Sequence, residues 1–220
     1  MFFIANHPIY NHPLPEGHRF PMLKYELLPK QLLHEGTAEC TDFYSPDSID
    51  LSLVHAVHTV SYVKALTELT LDAKAVRSIG FPLSAALVER ELRIAQGTVV
   101  GCNHALENGI AFNIAGGTHH AFSDRGEAFC LLNDQAIAAQ YLINQKKCHK
   151  ILIVDLDVHQ GNGTAEIFQN NADVITFSMH GQSNYPFRKE ISDYDIPLPD
   201  KTDDITYLSI LQETLPELLN

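Results

Sequence analysis

The chain of 220 residues has no tryptophan, only 3 methionines and no cysteine pair at Cys-x-x-Cys spacing. Its four cysteines, Cys40, Cys102, Cys130 and Cys148, lie too far apart in sequence to suggest a structural zinc knuckle or a redox dithiol, and they read as the reduced thiols of a cytoplasmic protein. Basic residues are also scarce, with 15 Lys and Arg against 27 Asp and Glu and a formal charge of −12. Neutralising phosphates takes clustered Lys and Arg, so direct nucleic-acid binding is excluded; the charge suits solubility and a cationic substrate. No apolar run approaches the ~18 residues of a membrane span. The opening Met1-Phe2-Phe3-Ile4-Ala5-Asn6-His7-Pro8 has neither a basic region nor a long apolar one, so no signal peptide is expected.

What is present is enough for a packed core, at 45% hydrophobic and 19% charged residues. The length fits one domain over 1–220. Short apolar runs alternate with amphipathic ones, the pattern of a mostly parallel sheet between helical layers, an α/β class. Strands are expected at 2–5, 41–44, 110–114, 151–156, 174–179 and 194–198, and helices at 22–34, 60–69, 84–106, 134–145 and 205–219. Ile151-Leu152-Ile153-Val154 is continuously apolar, which marks a strand covered on both faces. Residues 180–193 mix Gly, Ser, Asn, Pro and charge and read as a long loop of the kind that carries function.

Two runs at strand ends carry the candidate chemistry. In Asp155-Leu156-Asp157-Val158-His159, an extended backbone puts 155, 157 and 159 on one side, and three such groups on a buried face are costly unless paired or metal-bound. A lone Asp or His here would be a helix cap or a solvated turn residue. Asp157 and His159 offer two of the three protein ligands that a catalytic zinc takes. Gly161 offers no carboxylate where a second metal would need one. The other run, Gly116-Gly117-Thr118-His119-His120, follows the third strand, and carboxyl ends of parallel strands are where such sheets place ligands. Its two histidines could divide proton acceptance and donation beside a metal-bound water. Asp155 and Asn162 are natural acceptors behind their other ring nitrogens. Phe129 and Tyr185 lie in turns near these runs and suit an apolar tunnel, as they equally suit a core. His7, His12, His18, His55, His58 and His104 read as structural or solvated.

These residues resemble the histone deacetylase family, which includes bacterial acetylpolyamine and acetoin-utilisation relatives; the segments Ile79 to Pro82 and Ser123 to Gly126 look most like its class IV branch. The resemblance runs through His18-Arg19-Phe20-Pro21-Met22, Leu53-Val54-His55, the two runs above, Phe129-Cys130-Leu131-Leu132-Asn133-Asp134 and Ser178-Met179-His180. It implies an arginase/deacetylase fold and zinc-dependent hydrolysis of an acyl amide, with acetyl-lysine or an acetylated small amine as substrate. Asp157 and His159 would hold zinc, and His119 and His120 would form the acid/base pair, with Asp155 behind His119. Gly117, Phe129 and Tyr185 would line the substrate tunnel. A potassium ion would sit on Asp155, Asp157, His159, Ser178 and Met179, partly through carbonyls. Asn162 stands where many members have a second backing Asp. The family's second Asp ligand, its transition-state Tyr and its last two sheet strands, which lie between the third and fourth, are expected to be missing. A C-terminally truncated domain, weak or inactive alone and completed by another fragment or an oligomer, follows from that mapping. A binuclear manganese ureohydrolase and a non-catalytic acyl-lysine-binding remnant are the alternatives.

Overall fold

The structure, a computed structural model, describes residues 2–219. All six expected strands form in chain order: β1 (Ile4–Ala5), β2 (Phe43–Tyr44), β3 (Phe112–Asn113), β4 (Ile151–Asp155), β5 (Val174–Gly181) and β6 (Tyr194–Leu198). They divide into two parallel triplets, β2-β1-β3 and β4-β5-β6, covered by helices. Among the described residues β3 pairs only with β1, and β4 only with β5, so these two strands, like β2 and β6, are edges of their triplets. The first three strands are shorter than expected. At β2 the cause is local, because Cys40–Asp42 forms a 3-10 turn in which Glu39 and Asp42 cap each other. β5 is longer, since His180 and Gly181, expected in a loop, pair with Pro197 and Leu198 of β6.

The helices are α1 (Lys24–His34), α2 (Leu51–Val54), α3 (Val60–Thr67), α4 (Ala73–Ile79), α5 (Ala85–Asn108), α6 (Asp134–Asn144), α7 (Asn162–Phe168) and α8 (Asp204–Leu218). α5 is the longest. Ser84 caps it by accepting from Leu87 N–H, Gly109 at φ +91° ends it, and Leu87, Val88, Ala95 and Val99 bury one stripe. That stripe packs with Val63 and Leu66 of α3 and with Ile137 and Ala138 of α6 in the main core. The opposite face of α6, Ala136 and Ala139, meets Ile153, Phe168 and Val174. α6 therefore lies between the main core and the β4-β5-β6 triplet, and Asp134 in its first turn bonds Gly117 and Thr118 of the glycine-histidine run. α8 lies over Phe177, Met179 and Leu198. No helix is long and apolar enough to cross a membrane among the described residues.

Candidate active site

β4 ends at Asp155, so the alternation expected through His159 does not continue as strand. Two successive side-chain turns replace it: Asp155 Oδ1 accepts from Asp157 N–H at 3.0 Å, and Asp157 Oδ1 accepts from His159 N–H at 2.8 Å. Of the three groups expected on a buried face, only Asp155 is buried. The Asp157 and His159 side chains are 51% and 40% exposed. They do meet, with His159 Nδ1 3.1 Å from Asp157 Oδ1. Among the described residues no three His, Cys, Asp or Glu side chains gather as a metal-holding group.

His119 and His120 are buried side by side, ring centroids 4.0 Å apart. His119 Nδ1 lies 2.5 Å from Asp155 Oδ2, and His120 Nδ1 lies 2.6 Å from Asn162 Oδ1. Each Nδ1 is thereby committed, leaving Nε2 for other chemistry. The backing groups give the rings opposite characters. Burial pulls His119 down, but the hydrogen bond and charge of Asp155, with Asp157 and Asp134 farther off, outweigh it and hold the imidazole above its usual range. For His120, burial and then the neighbouring His119 lower the pKa to about 4, and the uncharged Asn162 offsets only part of that. The short reach of Asp155 depends on Gly161, where a Cβ would overlap Asp155 Oδ2. Gly163 is similar, since a Cβ there would overlap the Ala121 carbonyl; its N–H donates to His119 O at 3.0 Å.

Several residues that hold this arrangement lie outside the runs that carry the candidate chemistry; His58, expected to be structural or solvated, is structural. The Asp134 carboxylate, buried at the start of α6, accepts from Gly117 N–H at 3.0 Å, Thr118 N–H at 2.8 Å and Thr98 Oγ1 at 2.6 Å, which clamps the glycine turn ahead of the histidines. Gly117 is exposed, at φ +87°. His58 bridges the two segments beneath: its Nδ1 is 2.8 Å from Phe122 O and its Nε2 accepts from Asn133 N–H. Gln160 is fully buried and ties the 180–193 segment down by hydrogen bonds with both Glu190 N–H and Glu190 O. The one available signal was position: Asn133-Asp134 opens a helix, where capping carboxylates and amides belong.

Tyr185 stands edge-on to His120, with centroids 5.1 Å apart and an interplanar angle of 90°, and lies 6.2 Å from the His159 ring. Phe129, at φ +69°, packs elsewhere, against Phe20, Phe81 and His18 with Arg19 over its ring. Ser178 pairs across the sheet with Asp155, and its Oγ lies 3.4 Å from Gly161 N. The Met179 side chain belongs to the core under α8, so only its backbone faces the question of a cation.

The Histone deacetylase domain family matches residues 18–220. An uncharacterized protein of Picosynechococcus is 48% identical over all of this chain and 73% of its own length. The acetoin utilization protein AcuC of Bacillus subtilis is 30% identical over 77% of this chain, which spans about half of AcuC, 48%. A probable deacetylase of Archaeoglobus fulgidus is 31% identical over 86% of this chain and 56% of its own length. Among solved structures, an HDAC homolog from Aquifex aeolicus superposes with a TM-score of 0.83 at 24% identity, covering 98% of this chain and 63% of that one. The likeness in fold thus extends over nearly the whole chain, and a relative almost half identical accompanies the domain match. Two parallel triplets, paired histidines at one strand end and an Asp-x-His turn at another are, in this chain, the framework of a member of the histone deacetylase family.

Proposed function

We propose that this chain acts in the zinc-dependent hydrolysis of acyl amides, with His119 and His120 moving the protons. The observation that carries the reading is the pair of unlike histidines, each fixed through Nδ1 by a different partner. His120, held neutral by burial, is suited to accept a proton from water. His119, kept basic by Asp155, is suited to hold a proton and deliver it to the departing amine. Gly161 and Asn162 set the two backing distances, and the buried surroundings keep bulk water from the rings.

Asp157 and His159 fit zinc in kind. Two donors on one tetrahedral zinc stand about 3.3 Å apart, and 3.1 Å separates the facing atoms here. They are short by one in number, since no third donor joins them among the described residues. When bound, zinc would polarise the substrate carbonyl and acidify a water to a pKa of about 7. Asp155, Ser178 and the backbone at Met179 are the residues proposed for potassium. The manganese alternative needs a carboxylate at position 161, where the Asp155 carboxylate leaves no room even for a Cβ.

The substrates in view are an acylated lysine or an acetylated small amine, and the SAHA complex of an HDAC homolog of like fold is compatible with either. The test is acetate release from an acetyl-lysine peptide and from a monoacetylated diamine by the purified chain with added zinc. Slow, chelator-sensitive turnover that disappears in His119→Ala and His120→Ala is expected. Turnover that survives both substitutions, or is indifferent to chelator, would sink the reading.

A further inference from the structure

Beside the histidines, the segment that follows β5 and the segment that precedes α6 are joined by one bond spanning 58 residues: Tyr185 Oη donates to Glu127 Oε2 at 2.7 Å. Glu127 is well placed to act as an anchor. Its backbone N–H donates to Cys130 O at 3.1 Å and its carbonyl accepts from Cys130 N–H at 2.8 Å, closing a two-residue bridge. Its other carboxylate oxygen accepts from Arg125 Nε at 3.2 Å, and the Arg125 guanidinium lies 3.6 Å from the centre of the Phe122 ring. The carboxylate charge is therefore already paired, and the side chain is only 21% exposed. Glu127 belongs to neither of the two strand-end runs and backs neither histidine.

What the anchor fixes is the ring of Tyr185, which walls the space beside His120 and His159. A phenol bound to a carboxylate has a charge-assisted hydrogen bond, stronger than a neutral one, and a ring so tied loses its freedom to swing. Displacement of ~1 Å near reacting groups can cost about 10²-fold in rate. We propose that Glu127 is a positioning residue that, through the Tyr185 hydroxyl, sets the size of acyl group the site accepts. The proposal rests on the acyl-amide reading above. In it Glu127 touches no substrate; it narrows the slot toward short acyl groups by holding one wall still.

The experiment compares acetyl-, butyryl- and octanoyl-lysine peptides on the zinc-supplemented full chain. Glu127→Ala is expected to lower kcat/KM for acetyl about tenfold, chiefly in kcat, while leaving octanoyl unchanged or raised. Glu127→Gln, which keeps an acceptor, restores most of the preference. Tyr185→Phe reproduces Glu127→Ala, and the double variant is no worse than either single one, because all three lose the same bond. Equal losses for every acyl length, or additive losses in the double variant, overturn the proposal. A second measurement is independent of turnover: in chain carrying ring-labelled tyrosine, NMR should show the Tyr185 ring held in one orientation in the parent and mobile in Glu127→Ala. A Tyr185 ring equally mobile in the parent and in Glu127→Ala also overturns the proposal. A parent that hydrolyses none of the peptides while the Tyr185 ring is still held refutes the deacylase reading, and the specificity role with it, yet leaves the anchor standing.

Discussion

The His119–His120 pair and the Asp157–His159 pair are close neighbours, with the rings of His120 and His159 5.9 Å apart, yet they are built differently. The histidine pair is buried, each Nδ1 is occupied, and the turn before it is clamped by Asp134. The Asp157–His159 pair is about half exposed and held by its own turn and its own mutual contact. The histidine pair is thus held by bonds from several elements of this chain, whereas the Asp157–His159 pair is held by its own turn and stays open to solvent. A preorganised group is sensitive to small packing changes, whereas an exposed one tolerates them structurally and fails only in what it binds.

The strongest attempt to break that contrast is Gly161→Ala. Overpacking against Asp155 and loss of its charged hydrogen bond to His119 should cost about 3–5 kcal/mol, read by urea unfolding, and abolish turnover. A variant of parental stability would mean that the histidine pair is not held as tightly as its geometry states.

Next is acid. His58 is buried, and burial lowers its pKa to about 4 against an ordinary 6.5, only partly countered by hydrogen bonds at Phe122 and Ser123. The unfolded chain therefore binds the extra proton between these values, so the contribution is full above pH 6.5 and is lost as pH falls toward 4, by about 3 kcal/mol. Denaturation at pH 7.5 and at pH 4.5 should show this difference shrinking in His58→Gln; an unchanged difference contradicts it.

Asn162→Asp probes the asymmetry within the histidine pair. A carboxylate behind His120 should move the acidic limb of the pH–rate profile up by about 1–2 pH units, since a nearby opposite charge favours the imidazolium. A profile that stays put would show that Asn162 does not govern His120.

The smallest structural effect belongs to Asp157→Ala and His159→Ala, each expected within about 0.5 kcal/mol of the parent in stability. Zinc uptake measured by calorimetry should nonetheless vanish in both. Destabilisation by several kcal/mol would erase the distinction between the two pairs.

The same division explains what could be read from sequence. All six strands were legible because β-branched and aromatic runs such as Ile151 to Val154 have few other homes. α2 and α4 were not, being short and only partly apolar, although Asp50 and Asp72 cap them by accepting from Ser52 and from Lys74 and Ala75. The backing of His119 by Asp155 and of His120 by Asn162 could be anticipated because Asp155 opens one run and Asn162 follows it by three residues. Asp134, His58, Gln160 and Glu127 gained roles only in three dimensions, where their bonds reach across many residues: 16 from Thr118 to Asp134, 75 from Asn133 to His58 and 58 from Tyr185 to Glu127. The three-group face expected for 155, 157 and 159 failed because side-chain turns took over from the strand at Asp155.

The unpaired edges of β3 and β4 bear on how the chain comes apart. No ladder hydrogen bond among the described residues links the two triplets; they are coupled by α6, packed into the main core on one face and against Ile153 and Val174 on the other, and by bonds such as His119–Asp155 and Gly163 N–H to His119 O. Amide exchange should then resolve two cooperative units, with the β4-β5-β6 triplet opening separately from the core around α3 and α5. His119 and His120 lean on Asp155 at the end of β4 and Asn162 at the start of α7, so a partial opening of that kind would release both imidazoles while leaving most of the protein folded.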